Sequence, residues 1–203
     1  LIPTAAWKKK RFGVPWQKGE TLSIAIGQGY NLATPVQMLG VIAAIGNGGT
    51  LMRPSIMKGI ESRDGGRVMG PGPRVAGKVP ISKKTLDLLR QGLWEVVNGP
   101  RGTAKLSRIQ GIEVCGKTGT AQVVKASAGV KSNRLPEAIR DNAWFVGFAP
   151  RDHPRIAFAI FVEHGGYGGE TAAPIAQQVL LKFFEKEDGR QEPTQVARAT
   201  QHP

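Results

Sequence analysis

The sequence predicts an α/β fold of the α+β kind, an antiparallel sheet with helices packed on both faces in three layers. Three observations predict it. Residues 156–162 are apolar on both alternating faces, with Ile156, Phe158, Ile160 and Val162 on one and Ala157, Ala159 and Phe161 on the other. Such a strand is central, with layers above and below it. Arg151-Asp152-His153-Pro154 is short enough to join it to residues 143–149 as an antiparallel hairpin. Two segments with helical spacing, one after Ser82 and one after Thr171, supply covering layers.

In chain order, residues 21–26 alternate, with Leu22, Ile24 and Ile26 on one side, and read as a strand broken by Gly27-Gln28-Gly29. Thr34 caps a helix, with Pro35 at its first position and Gln37 three residues after the cap. Met38, Leu39, Val41, Ile42 and Ile45 make that helix apolar nearly all round, which predicts burial; Asn47-Gly48-Gly49 ends it. Residues 50–70 read as an exposed hairpin around Asp64-Gly65-Gly66. Ser82 caps the next helix, with Leu86, Leu89, Leu93 and Val97 as a core stripe and Asn98-Gly99-Pro100 as its stop.

Strand-like runs follow at residues 114–124, 143–149 and 156–162. A glycine-rich loop, His164-Gly165-Gly166-Tyr167-Gly168-Gly169, then leads to a helix over residues 171–186, with Ile175, Val179, Leu180 and Phe183 inward. Residues 187–203 are polar and read as a flexible tail, so the domain covers residues 1–186.

At 203 residues the chain has room for one domain or one and a half of roughly 150 residues each. Its 40% hydrophobic and 21% charged residues argue against wholesale disorder. No apolar run approaches the ~20 residues of a membrane span. The chain opens on Leu1 with no charged-then-apolar leader, which reads as a cut from something longer. Charge is informative: 28 Lys+Arg against 15 Asp+Glu gives +13, and residues 1–105 hold 16 of the basic and 5 of the acidic side chains. That imbalance favours anionic partners such as nucleic acid, acidic headgroups or an acidic polymer. The densest run, Trp7-Lys8-Lys9-Lys10-Arg11-Phe12, reads first as a solvated loop and second as part of such a binding face. A lone Cys115 excludes an internal disulfide and suits a small buried apolar residue. His153, His164 and His202 offer no zinc-ligand spacing.

Two motifs compete for one segment. Residues 111–118 match G-x-x-x-x-G-K-[ST], a phosphate-cradling loop. That motif needs an apolar strand before the first glycine and a helix opening at the Lys-Thr. Here Lys105-Leu106-Ser107-Arg108-Ile109-Gln110 precedes it, and the β-branched, glycine-containing Gly119-Thr120-Ala121-Gln122-Val123-Val124 follows, so its context fails on both sides. Read as a strand, Lys117-Thr118-Gly119-Thr120 is instead a K-T-G element of penicillin-binding proteins and serine β-lactamases. Lys117 then supplies a fixed positive charge, and the Thr118 and Thr120 hydroxyls can hold a carboxylate. Gly119 lets an extended peptide lie against the strand edge. The Thr120 amide can aim at a developing oxyanion.

The likeness extends further. Residues 20–30 (ETLSIAIGQGY), Ala33-Thr34-Pro35-Val36-Gln37-Met38, Asn47-Gly48-Gly49, Gly102-Thr103-Ala104, residues 116–122 and residues 144–150 (WFVGFAP) occur in one order. Together the chain resembles the class B penicillin-binding proteins over about residues 1–185. Residues 7–16 and Ile26-Gly27-Gln28-Gly29-Tyr30 incline it to the elongation-specific branch, with the division-specific branch as rival. The resemblance implies a β-lactamase/transpeptidase-like fold and a serine acyl-enzyme D,D-transpeptidase that cross-links peptidoglycan in cell elongation and shape maintenance. Lys117 and Thr120 would be its catalytic residues here, and Lys117, Thr118, Gly119 and Thr120 its substrate strand. It implies no cofactor, no metal and no nucleic acid. Its implied partners are peptidoglycan stem peptides, β-lactam antibiotics and a membrane glycan polymerase. Its implied place is the periplasmic face of the inner membrane, anchored by an N-terminal helix.

The chain departs from that family in one respect. The nucleophile's S-x-x-K occurs once, as Ser55-Ile56-Met57-Lys58, and follows Arg53-Pro54, which favours extended backbone with no helical stripe after it. It is not the nucleophile, and no S-x-N occurs. The expectation is therefore the C-terminal half of a transpeptidase domain, not active alone. Its strand at residues 156–162 would pair with the missing N-terminal part, which would otherwise leave a bare edge. A β-lactam sensor or β-lactamase on the same fold is the alternative, followed by a basic binding module or a nucleotide-binding loop. The loop at 164–169 reads either as a cleft border or as a surface turn, and Trp144 and Phe145 read as sheet core.

Overall fold

The N-terminal basic run folds as a helix, not a loop. The computed structural model describes residues 1–70, 72–123 and 135–191. In it α1 (Ala5–Phe12) is capped by the Thr4 hydroxyl, which accepts the Trp7 N–H at 3.1 Å, and ends at Gly13 with φ +72°. Lys9, Lys10 and Arg11 fall in the last turn, where they complement the helix dipole. Lys8 turns inward instead, 3% exposed, with its Nζ 2.5 Å from the Glu20 carboxylate and donating to the Pro15 carbonyl at 3.0 Å. The run is thus only partly a solvated face.

Residues 21–26, expected as a strand, instead belong to the helix α2 (Lys18–Ala25) and its C-cap Ile26. Glu20 reaches back to accept the Gln17 N–H at 2.7 Å, a helix-opening contact that the alternation of Leu22 and Ile24 conceals. Leu22 is 73% exposed, so that alternation marks no buried strand face.

α3 (Pro35–Gly46) opens with the capping box read from Thr34 and Gln37. The expectation of burial nearly all round is corrected: Ile42, Ala44 and Gly46 are buried, while Val36 and Val41 are exposed. This helix covers the sheet with one stripe only. β1 (Thr50–Arg53) does not join the expected hairpin; it pairs antiparallel with β4 (Arg74–Lys78). The hairpin consists of β2 (Gly59–Glu61) and β3 (Arg67–Met69). α4 (Lys83–Asn98) starts at Ser82 and buries Leu86 and Val97. Its Arg90 donates to the carbonyls of Ile45 and Gly46, two of the acceptors that a helix end leaves free.

The main sheet runs β5 (Cys115–Ala121), β6 (Asn142–Ala149), β7 (Ile156–Val162) in that order, antiparallel throughout. Val124, the end of the predicted first strand, lies outside the described residues. One face buries Cys115, Val146 and Phe148 against Ile42 of α3, with Leu93 and Trp94 of α4 alongside. The other buries Val114, Ala143, Phe145 and Phe158 against α5 (Ala172–Gln191). Helices cover both faces of β7, as its sequence predicts, yet it is an edge strand among the described residues, not a central one.

α5 presents Ala172, Ala173, Ala176, Leu180 and Phe184 to the sheet. Of the four residues expected inward, Leu180 is buried and Phe183 packs at the margin, whereas Ile175 and Val179 are exposed. Alanines let the helix approach closely and so decide its rotation. α5 continues beyond Lys186 to Gln191, so the predicted tail begins inside a helix, and residues 192–203 lie outside the described residues.

Candidate functional site

No helix opens at Lys117. Residues 115–121 are extended along β6, with Lys117 opposite Val146, Thr118 opposite Phe145, Gly119 opposite Trp144 and Thr120 opposite Ala143. A phosphate-cradling loop needs a helix terminus at that point, so this geometry removes that reading. Ser55 to Lys58 lies in the exposed connection between β1 and β2, not at a helix start, in keeping with its rejection as a nucleophile motif.

In extended backbone a residue's N–H and C=O share one edge and alternate residue by residue. The Thr120 carbonyl accepts from Gln28 Nε2 at 2.7 Å and the Thr118 carbonyl from Lys117 Nζ at 2.8 Å, and neither donor belongs to β6. The main-chain groups of Thr118 and Thr120 therefore line the outward edge of β5, which no described strand pairs. Their side chains share one face with Gly116, where an added Cβ would lie 2.7 Å from the Phe145 ring. Lys117 and Gly119 share the other face, and Lys117 is exposed.

Beside this edge lies a cleft of about 430 Å³, lined by Thr118, Thr120, Thr103, Tyr167, Gly168 and Gly169 among others. The hydroxyls of Thr103 and Thr118 are 2.9 Å apart and hydrogen-bonded. The glycine-rich loop is thus a border of the cleft. A Cβ on Gly168 would strike the carbonyl oxygens of Trp144 and Gly119, and one on Gly169 the carbonyl oxygen of Thr103. Those two positions hold the loop down because they carry no side chain.

His164 begins the same loop at φ +53° but is aimed elsewhere. Its N–H donates to Asn142 Oδ1 at 2.8 Å and its Nδ1 lies 3.2 Å from the Arg140 carbonyl oxygen. Phe145 is fully buried in the sheet core, whereas Trp144 is half-buried at its margin and packs on the exposed Phe161, centroids 4.7 Å apart. Cys115 is buried too, and burial pushes its thiol up to about 12, which leaves it a neutral core side chain. No cluster of His, Cys, Asp and Glu among the described residues could hold a metal ion. No helix among them is long and apolar enough to cross a membrane.

The sequence alone assigns no role to Thr103, which lines the cleft, or to Gln28, which bonds the Thr120 carbonyl. Both fall inside short motifs, Gly102-Thr103-Ala104 and Gly27-Gln28-Gly29, but a three-letter motif names no partner.

The chain matches the family described as penicillin binding protein transpeptidase domain over residues 4–181. It is 36% identical over 185 residues to the peptidoglycan D,D-transpeptidase MrdA of Haemophilus influenzae, covering 88% of this chain and 28% of that protein. Its fold is similar to that of the Helicobacter pylori penicillin-binding protein PBP2 solved in a complex with MreC. The TM-score is 0.74 at 33% identity, covering 92% of this chain and 31% of that one. For Pseudomonas aeruginosa PBP2 in complex with WCK 5153 the TM-score is 0.70 at 32% identity, covering 93% and 38%. The chain therefore spans between 28% and 38% of the length of these relatives. The fold is that of the β-lactamase/transpeptidase class. Because the family match runs from α1 into α5, through every element that builds the cleft, the chain belongs to the penicillin-binding protein transpeptidase domain family.

Proposed function

We propose that this chain is the substrate-strand portion of a peptidoglycan D,D-transpeptidase of the elongation type. The observation that carries the reading is Lys117-Thr118-Gly119-Thr120 in extended backbone, its outward edge open beside a cleft. A stem peptide ending in D-Ala-D-Ala lies along that edge as an added strand. Thr118 and Thr120 hold its terminal carboxylate, and Lys117 makes the site positive. The Thr120 N–H, on the same edge, receives the oxyanion.

The nucleophilic serine belongs to a segment outside these 203 residues, since the chain holds neither an S-x-N nor an S-x-x-K at a helix start. Its hydroxyl oxygen attacks the penultimate carbonyl carbon, and the bond to the terminal D-Ala nitrogen breaks as that nitrogen gains a proton. An amine of a neighbouring stem then attacks the ester, forming the cross-link and freeing the serine. β-Lactams acylate the same serine. On this reading the protein stands at the periplasmic face of the membrane on an N-terminal anchor, and works with a membrane glycan polymerase and other parts of the elongation machinery.

Labelling of the full-length parent with fluorescent penicillin tests the proposal. The expected result is a stable covalent adduct, formed at least ~100-fold more slowly in Lys117→Ala. No adduct, or undiminished labelling of the variant, overturns it. Rapid hydrolysis of the adduct assigns a β-lactamase instead.

A further inference from the structure

Gln28 occupies the place where a neighbouring strand would meet the end of β5. Its Nε2 donates to the Thr120 carbonyl at 2.7 Å, and its Oε1 accepts the Gln122 N–H at 3.4 Å. One side-chain amide thus spans the two outward main-chain groups on either side of Ala121, as a peptide unit of another strand would. The contact bridges 92 residues of sequence.

The loop that carries Gln28 is built to hold it. Gly27 and Gly29 stand at φ +78° and +71°, a region that side chains disfavour, so the tight reversal needs glycine on both sides. The Gln28 N–H is bonded to the Ser23 carbonyl at 2.9 Å, and Asn31 Nδ2 donates to the Ile24 carbonyl at 3.1 Å. Both bonds tie the loop to the end of α2.

We infer that Gln28 is a positioning residue for the Thr120 amide. This rests on the transpeptidase reading above, in which the Thr120 N–H receives the oxyanion. β6 restrains one edge of β5; Gln28 restrains the other by gripping the peptide unit that follows Thr120. Together they fix the backbone angles of Thr120 and hence the direction of its N–H. With the Thr120 carbonyl and the Gln122 N–H both engaged, the Thr120 N–H is the last open donor along the edge among the described residues. Gln28 thereby sets where an added peptide strand stops, with its reacting carbonyl at Thr120. Donors placed in advance act on the transition state more than on ground-state binding.

The test uses the full-length parent and two variants of unchanged side-chain length. Gln28→Met loses both polar atoms, and Gln28→Glu keeps an acceptor for Gln122 while losing the donor to Thr120. Acylation followed at several concentrations of a fluorescent penicillin separates the initial binding constant from the rate of the covalent step. The expected result is a covalent step slowed about tenfold in both variants, with initial binding unchanged within about twofold, because a displaced donor costs less than a deleted one. Thermal melts establish that each variant is folded. A covalent step as fast as or faster than wild type in either folded variant overturns the inference, as does a loss confined to initial binding. If wild-type protein forms no adduct, the transpeptidase reading fails; if wild type and variants acylate alike, only the role of Gln28 fails.

Discussion

The side chains of Thr103 and Thr118 meet at 2.9 Å, hydroxyl to hydroxyl, so the segment after α4 and the strand β5 share one hydrogen bond at the cleft. Each hydroxyl can donate one proton and accept two, so the pair retains capacity for a carboxylate after bonding to itself. Thr118→Val keeps the shape of the side chain and removes that capacity. In the full-length protein it is expected to slow penicillin acylation about tenfold, the scale of a hydrogen bond to a charged group. Thr103→Val acts only by orienting Thr118 and is expected to cost less. The double variant should be no slower than Thr118→Val, because the second change then has no partner to act through. Second-order acylation rates measure all three, and losses that simply multiply would show that the two hydroxyls act independently.

Lys8 and Glu20 support a pH prediction. The Glu20 carboxyl is held below its ordinary value of 4.5, first by accepting the Gln17 N–H and then by Lys8. A carboxyl whose folded value is depressed stabilises the fold above its unfolded value, and that contribution is lost as pH falls through the folded value. Glu20→Gln is therefore expected to melt below wild type at neutral pH, the gap closing as pH drops beneath 4.5. Melting curves between about pH 3 and 7 read this directly. A gap that stays constant across that range would mean that the carboxylate's charge is not what matters.

The parts of the fold legible in the sequence are those whose signals are local. Strands β5 to β7 announce themselves by alternation and a short connection, and α3 and α4 by caps that bond within their own first turn. α2 is not legible, because the alternation of Leu22 and Ile24 over so short a segment outweighs the Gln17–Glu20 helix opening, and Lys8, which pairs with Glu20, belongs to another helix. The inward face of α5 was misjudged for a related reason. Weight by apolar size picks Ile175 and Val179, whereas close approach to the sheet selects Ala172, Ala173 and Ala176. At the site, the order of residues in Lys117-Thr118-Gly119-Thr120 was enough to place the strand. Nothing local could pair Gln28 with Thr120, which fold onto one another across 92 residues of sequence.

Two glycines make a contrasting pair. At Gly168 an added Cβ would run into the carbonyl oxygens of Trp144 and Gly119, main-chain atoms of two paired strands that cannot swing aside. Gly168→Ala is expected to lift the loop from β5, destabilising the protein by ~1–3 kcal/mol as overpacking does. Penicillin acylation should fall with it, since the lifted loop is a border of the cleft. At Gly92, on an exposed turn of α4, a Cβ would meet nothing within 4 Å. Gly92→Ala should therefore stabilise by ~0.5–1 kcal/mol through helix propensity alone and leave acylation untouched. Urea unfolding and acylation rates on both variants of the full-length protein check the pair. If Gly168→Ala were as stable and as reactive as wild type, the loop would not be seated on the strand as described, and the cleft would have another border.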